Sequence, residues 1–77
     1  MEYIKVIIAD WLPCTIRGFT AYYYDIDGQV YYTIFINAHL NHEMQCAAYD
    51  HEIKHIDGHD FDHMFPIEDL EAMRHAV

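Results

Sequence analysis

The stretch Phe19-Thr20-Ala21-Tyr22-Tyr23-Tyr24-Asp25-Ile26-Asp27-Gly28-Gln29-Val30-Tyr31-Tyr32-Thr33-Ile34-Phe35-Ile36 decides the fold class. It holds two runs of aromatic and branched residues, Phe19 to Ile26 and Val30 to Ile36, which favour extended backbone. Asp27-Gly28 joins them and suits a tight hairpin turn, because glycine reaches positive φ without a steric penalty. The second run carries large side chains on both faces. One face is therefore expected to meet a helix, while the other stays partly wet, as the polar tip of tyrosine allows. Tyr22, Tyr23, Tyr24, Tyr31 and Tyr32 read first as cross-strand packing partners, with substrate contact by one of them as the alternative.

Upstream of the hairpin, Tyr3 to Ala9 reads as a further strand ended by Asp10 and Pro13. Downstream, Asn37 to Asn41 breaks the β pattern and Asn41 suits an N-cap, with Glu43 placed in the first turn to favour the helix dipole. Met44, Ala47, Ala48, His51 and His55 then fall at helical spacing and form the expected core-facing stripe. Tyr49, Ile53 and Ile56 widen it, Asp50, Lys54 and Asp57 are left for solvent, and Gly58 suits the C-terminal cap. Ile67 to Ala76 reads as a short last helix opened by Pro66, with Glu68 and Asp69 at its positive end. The expectation is one α+β domain over residues 1–77: a small antiparallel sheet with a β-hairpin, one long helix and a short C-terminal helix bearing glutamates.

The long helix carries His51-Glu52-Ile53-Lys54-His55, an HExxH pattern. A spacing of four sets two imidazoles one turn apart on one helix face, where both can bind a single divalent metal. Glu52 lies beside that face and can act as general base on a water that the metal activates, the arrangement of zinc-dependent peptide hydrolysis. The bland alternative is a surface helix that happens to carry two of the chain's seven histidines. Placement on the core stripe favours the metal, because inward imidazoles need partners for their ring nitrogens and a shared ion supplies one to each.

A chain of 77 residues is near the size at which a hydrophobic core alone is marginal, and a bound metal would add stability there. At 53% hydrophobic and 16% aromatic residues the chain is globular rather than disordered. Its net charge of −9 argues against nucleic acid or an anionic membrane as a direct partner. The basic residues Lys5, Arg17, Lys54 and Arg74 are scattered and form no patch. Cys14 and Cys46 share no ligand spacing, and two isolated thiols point to a reducing cytoplasm. The apolar run Val6 to Ala9 is too short for a signal or a transmembrane segment.

Two histidines do not complete a metal site. In the HExxHxxGxxH pattern the third histidine would stand at position 61, which is Phe61, although Gly58 matches; His59 and His63 are off that spacing. A carboxylate from the last helix is the other route. Glu68 and Glu71 lie one turn apart there, and periodicity alone does not choose between them. His59, His63 and His75 remain as surface residues, partners of the ligands or donors to a developing oxyanion.

Taken in order, His51 to His55, the later Gly58-His59-Asp60-Phe61-Asp62 and Leu70-Glu71-Ala72-Met73-Arg74-His75 resemble the ImmA/IrrE family of zinc metallopeptidases, in a minimal, minigluzincin-like version. The hairpin followed by Ile36-Asn37-Ala38 and a capped helix is similar too, so the resemblance runs from about Gly18 to the C-terminus. It implies that His51 and His55 bind Zn2+, that Glu52 is the catalytic base, and that a glutamate on the next helix is the third ligand. The frame Glu71-Ala72-Met73-Arg74 fits that glutamate best, with Arg74 in place of the family's small residue, and Glu68 is held in reserve. The resemblance also implies an extended peptide or protein substrate bound by strand addition, in a bacterial or phage setting where such enzymes cut transcriptional repressors. Longer members carry further segments that shape the substrate pocket. The other function class for so short a chain is a metal-binding regulatory or interaction module that cleaves nothing.

Overall fold

The computed structural model describes residues 3–67. Four strands form one sheet: β1 (Tyr3–Ala9), β2 (Gly18–Tyr24), β3 (Val30–Asn37) and β4 (Met64–Pro66), in the order β1-β3-β2-β4. One helix, α1 (His42–Asp57), lies on the sheet, and a 3₁₀ turn over Phe61–His63 leads into β4. The expected α+β class and the hairpin hold. The sheet is mixed rather than wholly antiparallel: β2 and β3 pair antiparallel, but β1 joins β3 in parallel and β4 joins β2 in parallel. The reason is connectivity. β1 skips a place in the sheet, and the loop after it carries the chain past the end of β3 to start β2.

The hairpin loop is one residue longer than the Asp27-Gly28 dipeptide predicts. Asp25 N–H donates to Gln29 O at 2.9 Å and Gly28 N–H to Asp25 O at 3.1 Å, so Ile26, Asp27 and Gly28 form a three-residue loop with Gly28 at φ 83°. The Asp25 carboxylate accepts from the N–H groups of Asp27 and Gln29, both at 2.9 Å. The nearby Asp25 carboxylate, chiefly by its attraction for the hydroxyl proton, also raises the Tyr31 phenol above its usual range.

Alternation along the strands divides the core in two. Even-numbered residues face α1: Tyr32, Ile34 and Ile36 of β3 are buried with Ala48, Ile56 and Met64, and Tyr22, Val30, Leu40, Ile53 and Phe61 pack around them. Full burial of each such isoleucine contributes about 1.5–3 kcal/mol. Odd-numbered residues form the other face, where Phe19, Ala21 and Phe35 are covered by Trp11, Leu12 and Ile16 of the β1–β2 loop. The expected tyrosine packing is present, with Tyr31 stacked between Tyr3 at 4.9 Å and Tyr23 at 5.0 Å.

Asn37, expected as a breaker, is instead the buried last residue of β3. Its Nδ2 donates to Ile16 O at 2.8 Å and Pro13 O at 3.1 Å, while Oδ1 accepts from His39 N–H at 2.9 Å. One side chain thereby ties the β1–β2 loop to the entry of α1. At that entry Asn41 caps the helix, its side chain accepting from Met44 N–H at 2.8 Å. Among the described residues no helix is long and apolar enough to cross a membrane.

Candidate metal centre

Helix phase decides which of the motif residues turn inward. The buried stripe of α1 is Ala48, Glu52 and Ile56, each four residues from the next. Expectation placed His51 and His55 on that stripe with Glu52 beside it. The structure turns the helix by about one residue, roughly 100°, so Glu52 is only 6% exposed, His55 is half-buried and His51 is exposed. Ala47 and Ala48 are both apolar, so hydrophobic spacing could not distinguish these adjacent stripes. The partner across the interface selects one of them. Thr20, fully buried on the helix-facing side of β2, donates its hydroxyl to Glu52 Oε1 at 3.0 Å. A buried carboxylate without such a donor would be costly.

The two histidines meet in front of this carboxylate. His51 Nε2 and His55 Nε2 stand 3.1 Å apart with their rings perpendicular. Two imidazole nitrogens on one tetrahedral zinc, at about 2.0–2.1 Å each, are about 3.4 Å apart. Donor atoms of His51, Glu52 and His55 all lie within 4.8 Å of one another. The chemistry and spacing of this donor set therefore fit a single metal ion held by the two Nε2 atoms. The Glu52 carboxylate is adjacent to both.

The end of α1 supplies further partners. Gly58 terminates the helix at φ −85°, and His59 takes the left-handed conformation at φ 51°. His59 N–H then donates to Ile56 O at 3.0 Å and Asp60 N–H to His55 O at 2.9 Å, the paired bonds that close a helix C-terminus. The reversal brings the Asp60 carboxylate back beside the motif. Its Oδ2 lies 3.2 Å from His55 Nδ1 and 2.8 Å from His63 Nδ1, and the rings of His55 and His63 stack at 4.7 Å.

A cleft of about 400 Å³ opens between α1 and the start of β2, lined by Arg17, Gly18, Met44, Ala47, Ala48, His51 and Glu52. Gly18 has a steric role here. A Cβ at this position would stand 2.8 Å from Phe35 O and 3.2 Å from Ile36 Cδ1, so only glycine lets β2 lie this close to β3. β4 pairs with β2 only over Thr20–Tyr22, which leaves Gly18 and Phe19 unpaired on that edge among the described residues.

The structure thus brings His51, Glu52 and His55 together. Glu71, its reserve Glu68, the expected Ile67–Ala76 helix and His75 lie outside the described residues, save for Ile67 itself. Thr20, Asp60 and Gly18 belong to this site although none of them stands in the HExxH motif. Thr20 carries a signal in hindsight, as the one small polar residue on the helix-facing side of an aromatic strand. Asp60 carries none, because only the turn at Gly58-His59 places it. No protein-family model, curated protein or solved structure matches this chain.

Proposed function

We propose that the chain is a zinc-dependent metallopeptidase, with His51 and His55 as metal ligands and Glu52 as general base. The observation that carries this reading is the buried Glu52 carboxylate, anchored by Thr20 at 3.0 Å beside two imidazole nitrogens 3.1 Å apart. A merely structural helix would bury an apolar residue there at lower cost. The third ligand is assigned by resemblance to Glu71, ahead of Glu68.

A bound zinc ion supplies Lewis acidity, which polarises a carbonyl and makes water a nucleophile near neutral pH. The chain's own part is proton transfer and orientation. Thr20 occupies Oε1 of Glu52, leaving Oε2 to accept a proton from the attacking water. The water oxygen bonds to the carbonyl carbon, the C–N bond breaks, and Glu52 hands its proton to the leaving amine. One water is consumed and the carboxylate is regenerated. The substrate is an extended segment of a peptide or protein such as a transcriptional regulator, pairing with the free edge at Gly18 and Phe19 beside the cleft.

Metal analysis combined with cleavage of a peptide library tests this reading. The purified protein should carry one zinc per chain, and His51→Ala, His55→Ala and Glu71→Ala should each lose it. Glu52→Gln should keep the metal and cleave about 10²–10⁴-fold more slowly. Protein that carries zinc but cleaves nothing would be a metal-binding module, and protein that carries no zinc would overturn the proposal.

A further inference from the structure

Asp60 is not part of the HExxH motif, yet its carboxylate lies between two histidine rings. Oδ2 is 3.2 Å from His55 Nδ1 and 2.8 Å from His63 Nδ1. A carboxylate only accepts hydrogen bonds, so in the bond between His55 and Asp60 Nδ1 must be the donor. An imidazole that carries its proton on Nδ1 presents a lone pair at Nε2 when neutral. In His55 that Nε2 is the atom 3.1 Å from His51 Nε2. The contact with Asp60 therefore holds His55 in the one neutral tautomer that can ligate a metal from the inner side of the motif.

The backbone fixes Asp60 independently of its side chain. Asp60 N–H donates to His55 O at 2.9 Å and Asp60 O accepts from His63 N–H at 3.1 Å, while His59 at φ 51° sets the reversal. His63 stacks parallel to His55, with 7° between ring planes, and shares the same oxygen. The ring of His55 is thus held by the aspartate at one nitrogen and by a stacked imidazole on its face.

From this geometry, and resting on the metallopeptidase reading above, we infer that Asp60 is the positioning residue of the metal centre. It selects the Nδ1–H tautomer of His55 and aims Nε2 at the metal, with His63 steadying the carboxylate. Groups in this role orient ligand histidines and raise their basicity, and their loss weakens metal binding about 10–100-fold.

Two measurements on the full chain test it. The first uses the protein without metal: two-bond nitrogen–proton correlation spectra should show His55 protonated at Nδ1 in the wild type. In Asp60→Ala the signal should move toward the Nε2–H form. The second is competition for zinc against a chromophoric chelator, in which Asp60→Ala and Asp60→Asn should bind about 10–100-fold more weakly. His63→Ala, which removes the ring that steadies the carboxylate but leaves Asp60 itself in place, should weaken binding less than either Asp60 variant does. Circular dichroism checks that each variant folds, and the half-exposed Asp60 side chain leaves the backbone bonds of the turn intact. An unchanged His55 tautomer, with zinc affinity within threefold in both Asp60 variants, would overturn the inference. A wild type that bound no zinc would overturn the metallopeptidase reading instead, and the tautomer spectra would still decide the role of Asp60.

Discussion

On its β2 side α1 closes over Thr20 and buries its own Glu52; on its β1 side it leaves Val6 45% and Ile8 55% exposed. The two flanks border openings of similar size, a cleft of about 400 Å³ beside β2 and a groove of about 420 Å³ beside β1. Volume does not separate them. The β1 groove is walled by Val6, Ile8, Ile36, Cys46 and Tyr49 together with His42, Gln45 and Asp50, but these polar residues are exposed or half-buried, where water can satisfy them. The β2 cleft contains a carboxylate withdrawn from water, which is tolerable only because a threonine on the facing strand donates to it. A polar group buried at a cost and then satisfied is the stronger mark of function.

The sharpest way to break this comparison is to remove the cost. Thr20→Val keeps the shape of the side chain but strips Glu52 of its donor, and should destabilise the fold by about 1–3 kcal/mol. Thr20→Val combined with Glu52→Leu replaces both partners by apolar groups and should recover most of that loss in urea unfolding. Peptide cleavage should nevertheless stay abolished. If the double variant were as unstable as Thr20→Val alone, Glu52 would be serving the fold and not the chemistry.

A substitution of nearly the same weight tests the wall of the cleft. Gly18→Ala places a methyl group 2.8 Å from Phe35 O, a backbone atom that cannot rotate away. The strands must separate locally, at a cost of about 1–3 kcal/mol by urea unfolding. The free edge beside the cleft is displaced with them, so peptide affinity should fall even where zinc content does not. A Gly18→Ala protein as stable as the wild type would show that the close approach of β2 to β3 is not needed.

Much of this architecture is legible in the chain. Tyr3–Ala9 and the hairpin strands show β-branched and aromatic runs, Asn41 shows its cap, and His51, Glu52 and His55 show their spacing. What is not legible depends on contacts far apart in sequence. The parallel pairing of β1 with β3 follows from where the β1–β2 loop lands, and Asn37 anchors that loop through Pro13 and Ile16. The phase of α1 is set by Thr20, 32 residues away from Glu52. Asp60 enters the site only because His59 adopts a positive φ that nothing in its identity demands.

That residue offers a smaller effect of opposite sign. His59 sits exposed in the left-handed region, where a Cβ is crowded and glycine is not. His59→Gly should raise stability by a few tenths of a kcal/mol to about 1 kcal/mol, less what glycine adds to the freedom of the unfolded chain. Because the substitution keeps the turn, Asp60 stays in place and zinc affinity should be unchanged. A fall in zinc affinity with a rise in melting temperature would mean that the His59 ring itself contributes to the site.

The smallest effects belong to the β1 flank. Val6 and Ile8 face the same side of the sheet as Ile34 and Ile36, yet α1 packs over β3 and β2 and leaves them in the open groove. Their burial is partial, so Val6→Thr and Ile8→Thr remove little apolar area from the core while preserving β-branching and strand propensity. Each should shift stability by no more than about 0.5 kcal/mol, and neither should alter zinc content or cleavage. Set against Thr20→Val, a substitution between the same two residue types in the opposite sense, this separates position from chemistry. A hydroxyl added on one flank goes to water and costs little, whereas a hydroxyl removed on the other strands a carboxylate. If Val6→Thr proved as damaging as Thr20→Val, the groove beside β1 would be closed in solution, and the asymmetry between the flanks would not exist.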